Sequence, residues 1–225
     1  MNVVTKDCTA LNDSELVEMA DISAINETGW EVGVLSKLKD EWVLVTSVFS
    51  ENRLMGFAFA SLERIGGTPA LLIPAASFIR GADAEEVMNL LMSDLYRRVF
   101  LAFPDEDVLV CTKMTSYLNR QAYSGLQDVV PRHGYKPTGE QRAWGRRIAK
   151  RFSLDSRIDD KTFVVEGDSS PVTVFDYAPI DRPVSAETQA YRSVFEEVDT
   201  SRFDCVICFG WAMAEDLAEG ALPGR

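Results

Sequence analysis

Residues 70–102 read ALLIPAASFIRGADAEEVMNLLMSDLYRRVFLA, and this stretch decides the fold. It opens on an apolar run, Ala70 to Phe78, that suits a buried strand. Pro74 inside that run marks a bulge or a broken ladder, because proline has no amide to donate. Arg80-Gly81 makes a sharp exit. Beyond Asp83, Val87, Met88, Leu91, Met92, Leu95 and Val99 recur at intervals of three and four residues, the spacing that gathers apolar side chains on one helix face, and the pattern ends at Pro104. Val108 to Thr112 is short and continuously apolar, suited to a strand covered on both faces.

On the N-terminal side, Asn12 followed by Glu15 is a capping-box signature, and Leu16, Val17, Met19, Ala20 and Ala24 continue a helical stripe to about Asn26. Trp30 to Leu38 reads as a second helix or a turn. Trp42 to Phe49 and Leu54 to Leu62 form a hairpin through Ser50-Glu51-Asn52-Arg53, and the turn Gly66-Gly67-Thr68-Pro69 adds a third antiparallel strand, the run ending at Phe78. On the C-terminal side, Asn119 opens a helix or irregular helical segment that closes at Pro131, after which Gly134-Tyr135 leads back toward the sheet. Glu140 to Phe152 predicts a helix. Thr162 to Glu166 and Val172 to Tyr177 predict a hairpin turning through residues 167–170. Pro179 and Pro183 read as a linker, Glu187 to Val198 is amphipathic, Phe203 to Phe209 reads as a buried strand and Met213 to Glu219 as a short helix. The expected class is α/β (α+β), a mixed and mainly antiparallel central sheet flanked by helices. Residues 1–178 form its domain, and 179–225 form a C-terminal extension packing on the core. Whether that extension covers the sheet, lids a site or meets a second copy in a homodimer is open.

The 225 residues are 46% hydrophobic and 26% charged, enough to build a real core. No apolar run reaches the roughly 18 to 20 residues of a membrane helix, and the first residues lack the basic-then-apolar pattern of a signal peptide, so the sequence reads as cytoplasmic with no membrane partner. Net charge is −12, from 35 acidic and 23 basic residues, which argues against nucleic acid as a partner. The basic cluster Arg142, Arg146, Arg147, Lys150 and Arg151 has helical spacing and reads as a solvated face. Cys205 and Cys208 lie on the apolar strand, where residues three apart point to opposite faces, so they do not chelate one ion together. Cys8, Cys111 and the single histidine, His133, have no companion spacing, and no metal is expected.

The order of strand, Arg-Gly turn, long helix, strand, Asn and Gly134-Tyr135-Lys136-Pro137 resembles the core of the GNAT superfamily of N-acetyltransferases, over roughly residues 13–177. Arg53-Leu54-Met55-Gly56-Phe57-Ala58 looks like the outgoing arm of that family's hairpin. The resemblance implies acetyl-CoA or another acyl-CoA as cofactor, bound at Phe78, Arg80, Gly81, Ala82 and Asn119, with the thioester between strands diverging at Phe78 and Cys111. It implies a primary amine, of a small molecule or a protein, as acceptor. The helix N-terminus would meet the pyrophosphate with free amides. Here the chain departs from the pattern: Asp83 and Glu85 stand at the two small-residue positions, with Glu86 adjacent, and carboxylates there repel a polyphosphate. Asn119 and Ala122 match the family's Asn-x-x-Ala, whose Asn bonds the pantetheine arm; as a residue alone, Asn119 reads equally as a helix cap. The family's general-acid tyrosine falls on Val130, leaving Tyr123 as the nearest phenol and Glu63 as the acidic residue placed for a base. Two functions follow: an acyl-CoA-dependent N-acyltransferase, or a non-catalytic module of the same fold whose cleft is filled or repurposed.

Overall fold

The structure, a computed structural model, describes residues 1–178 and 185–223. The linker expected at Pro179 and Pro183 lies outside the described residues. In chain order the elements are β1 (Asn2–Asp7), α1 (Asp13–Ile25), α2 (Val32–Glu41), β2 (Leu44–Ser50), β3 (Arg53–Ile65), β4 (Thr68–Phe78), α3 (Ala84–Ala102) and β5 (Val108–Met114). A 3-10 turn at Tyr117–Tyr123 follows, then β6 (Gln127–Val130), α4 (Gly139–Arg151), β7 (Val164–Val165), β8 (Phe175–Asp176), α5 (Ala186–Ala190), β9 (Cys205–Ala212) and α6 (Ala214–Ala218). The sheet runs β1-β2-β3-β4-β5-β9-β6, with β7 on β9 and β8 on β4. Its pairs are antiparallel except β4 with β5 and β4 with β8.

Local chemistry explains most of these boundaries. Asn12 caps α1 through Glu15 N–H at 3.0 Å, and the Glu15 carboxylate returns to Asn12 N–H at 3.0 Å. The apolar stripe of α3 is buried from Val87 to Val99, and Thr5 of β1 donates to Asp94 of α3 at 2.6 Å. Gly56 of β3 lies so close to α3 that a Cβ there would meet Val87 and Phe78 at 2.9 Å. Phe78 thus faces α3. Its neighbour Ser77 points to the opposite face, where Asn26, just past α1, donates to it at 2.9 Å.

The site is made by an interruption in β4. Its ladder with β5 runs from Ala70↔Leu109 to Ile73↔Thr112 and stops at Pro74. On the other edge, Phe59 pairs with Ala75 while Ser61 pairs with Leu72, so Ile73 and Pro74 together oppose Ala60. This is the bulge that a proline in a strand implies. Beyond it β4 and β5 separate, and β8 takes up the freed edge of β4 while packing against β5.

The structure corrects several expectations. Residues 162–177 do not fold into a hairpin on themselves: β7 joins β9 and β8 joins β4, because unpaired backbone at the parting of β4 and β5 offers β8 a buried ladder. The segment after Asn119 is a short 3-10 turn followed by strand β6, so Val130 is a strand residue. Gly134-Tyr135-Lys136-Pro137 leads into α4, which Thr138 caps, rather than back into the sheet. The C-terminal part supplies β9, an inner strand between β5 and β6. Strand β1 carries no signal read from the sequence.

Candidate functional site

Each residue from Val172 to Tyr177 has a partner in the cleft between β4 and β5. Trp30 Nε1 donates to the Val172 carbonyl at 3.2 Å and Lys113 Nζ to Thr173 Oγ1 at 3.2 Å. The Ala76 amide donates to the Val174 carbonyl at 3.0 Å, which makes the segment a strand of the sheet rather than a loop lying on it. Phe175 is fully buried, its ring 5.4 Å from that of Phe78, and Tyr177 meets the same ring edge-on at 6.0 Å. Asp176 accepts from Arg80 Nη2 at 3.0 and 3.2 Å, from Asn26 Nδ2 at 3.1 Å and from Ser77 Oγ at 3.4 Å. Asn119 Nδ2 donates to the Tyr177 carbonyl at 2.6 Å.

The electrostatics of Asp176 show which effect wins. Burial raises its carboxyl above the usual range, and the opposing pull of Arg80, Ser77 and Asn26 does not fully offset it. The charge of Arg80 is the largest of the opposing influences, ahead of the hydrogen bonds from Arg80, Ser77 and Asn26.

Of the residues expected to bind a cofactor, Phe78, Arg80 and Asn119 are gathered at this cleft, and all three engage the 172–177 segment. Asn119 also serves the turn it sits in, its Oδ1 accepting from the Ser116 amide at 3.1 Å. Gly81 and Ala82 form the open turn before α3, where Gly81 adopts φ +148, a conformation that favours glycine. Asp83 stands at the cap position without a side-chain cap bond, and Glu85 and Glu86 fill the first turn.

The two residues expected to act in catalysis are held by different elements. Tyr123 is fully buried and its hydroxyl lies 3.2 Å from the Cys208 carbonyl and 3.4 Å from that of Val110. Burial drives its phenol well above the ordinary range, so it holds its proton firmly. Glu63 accepts from Arg151 Nε of α4 at 2.7 Å. His133 bonds Ser193. Both cysteines of the Cys-x-x-Cys are buried on β9, and no group of residues fit to hold a metal ion occurs among the described residues.

Coenzyme A does not fit this arrangement. The amide of Ala76, Arg80 Nη2 and the side-chain amide of Asn119 are engaged by the chain itself, Arg80 Nη1 is buried, Phe175 fills the space beside Phe78, and acidic side chains stand at the α3 N-terminus. Sequence reasoning missed Asp176 and its segment. The signal was present as an apolar alternation from Val172 to Tyr177 with one acid in it, but nothing local to residues 172–177 names Arg80 as its partner.

No family model matches the chain, and no curated protein sequence matches it. Among solved structures it is similar to the aminoglycoside 6'-N-acetyltransferase from Enterococcus faecium, with 12% identity over 50% of this chain and 61% of that one and a TM-score of 0.41. The match spans about three fifths of the length of that enzyme. Escherichia coli ElaA is similar at 14% identity over 61% of this chain and 93% of that one, TM-score 0.37. A GNAT-family acetyltransferase from Brucella melitensis in complex with acetyl-CoA is similar at 11% identity over 48% and 75%, TM-score 0.36. The sheet described above is mixed and mainly antiparallel with helices flanking it, the class expected from the sequence.

Proposed function

We propose that this chain is a non-catalytic binding or interaction module of acetyltransferase-like fold, one that does not take up coenzyme A. The observation that carries the reading is the ladder between β4 and β8: the Ala76 amide bonds Val174 while Arg80 pairs with Asp176 in the same stretch. A ligand strand and β8 compete for one edge, and β8 is covalently attached, with Phe175 buried and Asp176 bonded to Arg80. Burial of Phe175 alone is worth roughly 1.5–3 kcal/mol, which any incoming acyl donor must displace. Acetyl-CoA at millimolar concentration is expected to leave the melting temperature unchanged. A saturable rise, with heat in calorimetry, would overturn the reading.

A second reading is favoured by the retention of Arg80 and Asn119 at the cleft: an N-acyltransferase in which residues 172–177 withdraw to admit an acyl-CoA, with a small-molecule or protein amine as acceptor and Tyr123 and Glu63 as acid and base. The variant Phe175→Ala, which weakens the seat of the segment, distinguishes the two. Acetyl-CoA binding gained by that variant supports withdrawal, and none in either protein supports the module.

A further inference from the structure

On the other side of the 172–177 segment lies a cavity of about 540 Å³. Its volume is within the range of roughly 300 to 1,000 Å³ typical of small-molecule sites. Its walls include Trp42 and Leu38, Pro74 of β4 and Phe152, and its lining also contains Lys113 of β5, Thr173 and Cys205. Lys113 is only 5% exposed. Its ammonium has three donors. One goes to Thr173 Oγ1 at 3.2 Å, and the nitrogen stands 5.1 Å from the centre of the Phe152 ring. No carboxylate among the described residues bonds it. A buried cation without an anion is costly, and chains that keep one usually have a use for it.

The remaining charges narrow the ligand. Arg151 and Arg157 also line the cavity, but Glu63 and Asp168 already engage them. Glu41, Glu166 and Asp168 are exposed carboxylates at the rim, which disfavour a ligand of high negative charge such as a phosphate, and Lys37 is an exposed cation there. Lys113 in turn repels an amine. One negative charge and an apolar body fit this lining.

We propose that this cavity binds a small organic monocarboxylate with an apolar or aromatic body, its carboxylate on Lys113 Nζ and Thr173 Oγ1 and its body against Trp42, Phe152 and Pro74. The site rests on the module reading in one respect, since Thr173 belongs to the seated segment and withdrawal would take away that wall. Burial dominates the charge of Lys113, opposed by Cys205 from β9 and Glu41 from α2, and the other charged residues of the lining are Lys37, Arg151, Arg157, Glu166 and Asp168. Burial holds its ammonium down to about 8, so binding weakens as alkali removes the proton.

The test is calorimetry of the whole chain with acetate, butyrate, benzoate, phenylacetate and indole-3-acetate, each beside its neutral amide. At least one aromatic acid is expected to bind with Kd below ~1 mM, at least tenfold more tightly than its amide. Lys113→Met is expected to weaken it at least tenfold, and Lys113→Gln, which keeps a hydrogen-bond donor, is expected to do the same. At pH 8 the wild type takes up a proton on binding, read from buffers of different ionisation heat, and neither variant does. The proposal is overturned if no acid binds below ~10 mM, if an amide binds as well as its acid, or if the Lys113 variants bind unchanged. Acetyl-CoA run beside these ligands reports on the cleft separately, so failure of the cavity and failure of the module reading give different results.

Discussion

The two faces of the 172–177 segment differ in how completely their space is filled. Toward β4 and the Asn119 turn, the Val174 and Tyr177 carbonyls, the Phe175 ring and the Asp176 carboxylate find partners, while Tyr177 Oη and Arg80 Nη1 are buried without a hydrogen bond. Toward α2 and α4, the same segment leaves a space, with a buried ammonium held by a hydroxyl and an aromatic ring. The closed face fills its space with the chain itself, whereas the open face keeps a cavity beside a buried ammonium that no carboxylate among the described residues bonds. The contrast is the ground for proposing a ligand at Lys113 rather than at the turn before α3.

The largest effect that would break this contrast is the loss of the plug. Phe175→Ala is expected to cost about 3–5 kcal/mol in denaturant unfolding, as for other buried aromatic truncations, because its ring is fully buried against Phe78. A cost below ~1 kcal/mol would mean that the segment is not packed as described.

Next comes the open side. Lys113→Met is expected to raise stability at neutral pH by about 1–3 kcal/mol, because it removes a poorly compensated buried charge. The native ammonium titrates at about 8, lower than an ordinary lysine, so between that pH and the ordinary value the unfolded chain holds a proton the native chain has shed. Wild-type stability should therefore gain as pH climbs through this window, by at most about 3 kcal/mol from this group. The Met variant should lack that gain when unfolding is followed from pH 7 to 10.

The pair on the closed side gives smaller effects. Arg80→Ala leaves Asp176 half-buried without its cation and is expected to cost about 2 kcal/mol at neutral pH. Since burial already raises the native carboxyl, the native chain binds that proton more readily than the unfolded one, and stability from this group declines as pH rises through the elevated value. The deficit of Arg80→Ala should accordingly shrink toward acid pH; a deficit independent of pH would break the assignment. Asp176→Asn keeps an acceptor for Asn26 or Ser77 and is expected to cost less than about 1 kcal/mol at the same pH.

The parts of this arrangement readable from sequence are those encoded by neighbours along the chain. The α3 stripe, the Asn12 and Glu15 cap, the β2 and β3 hairpin and the interruption at Pro74 each follow from spacing within a few residues. The acids at the start of α3 also stood out. What closes the cleft was not readable, because Arg80 and Asp176 lie 96 residues apart and Asn119 and Tyr177 lie 58 apart. Alternation from Val172 to Tyr177 indicates a strand but not its neighbour, and a local hairpin with 162–166 was the nearest solution. Lys113 escaped notice for a similar reason: inside a short apolar strand one lysine reads as an exposed end, and only the fold puts it 5% exposed in the lining of a cavity.

Amide hydrogen exchange at Ala76 tests the central claim most directly, since its N–H is the bond that makes residues 172–177 part of the sheet. The expected result is exchange as slow as that of the β3 and β5 core, unaltered by millimolar acetyl-CoA. Exchange within seconds in the free protein, or protection that appears only when acetyl-CoA is added, would contradict it.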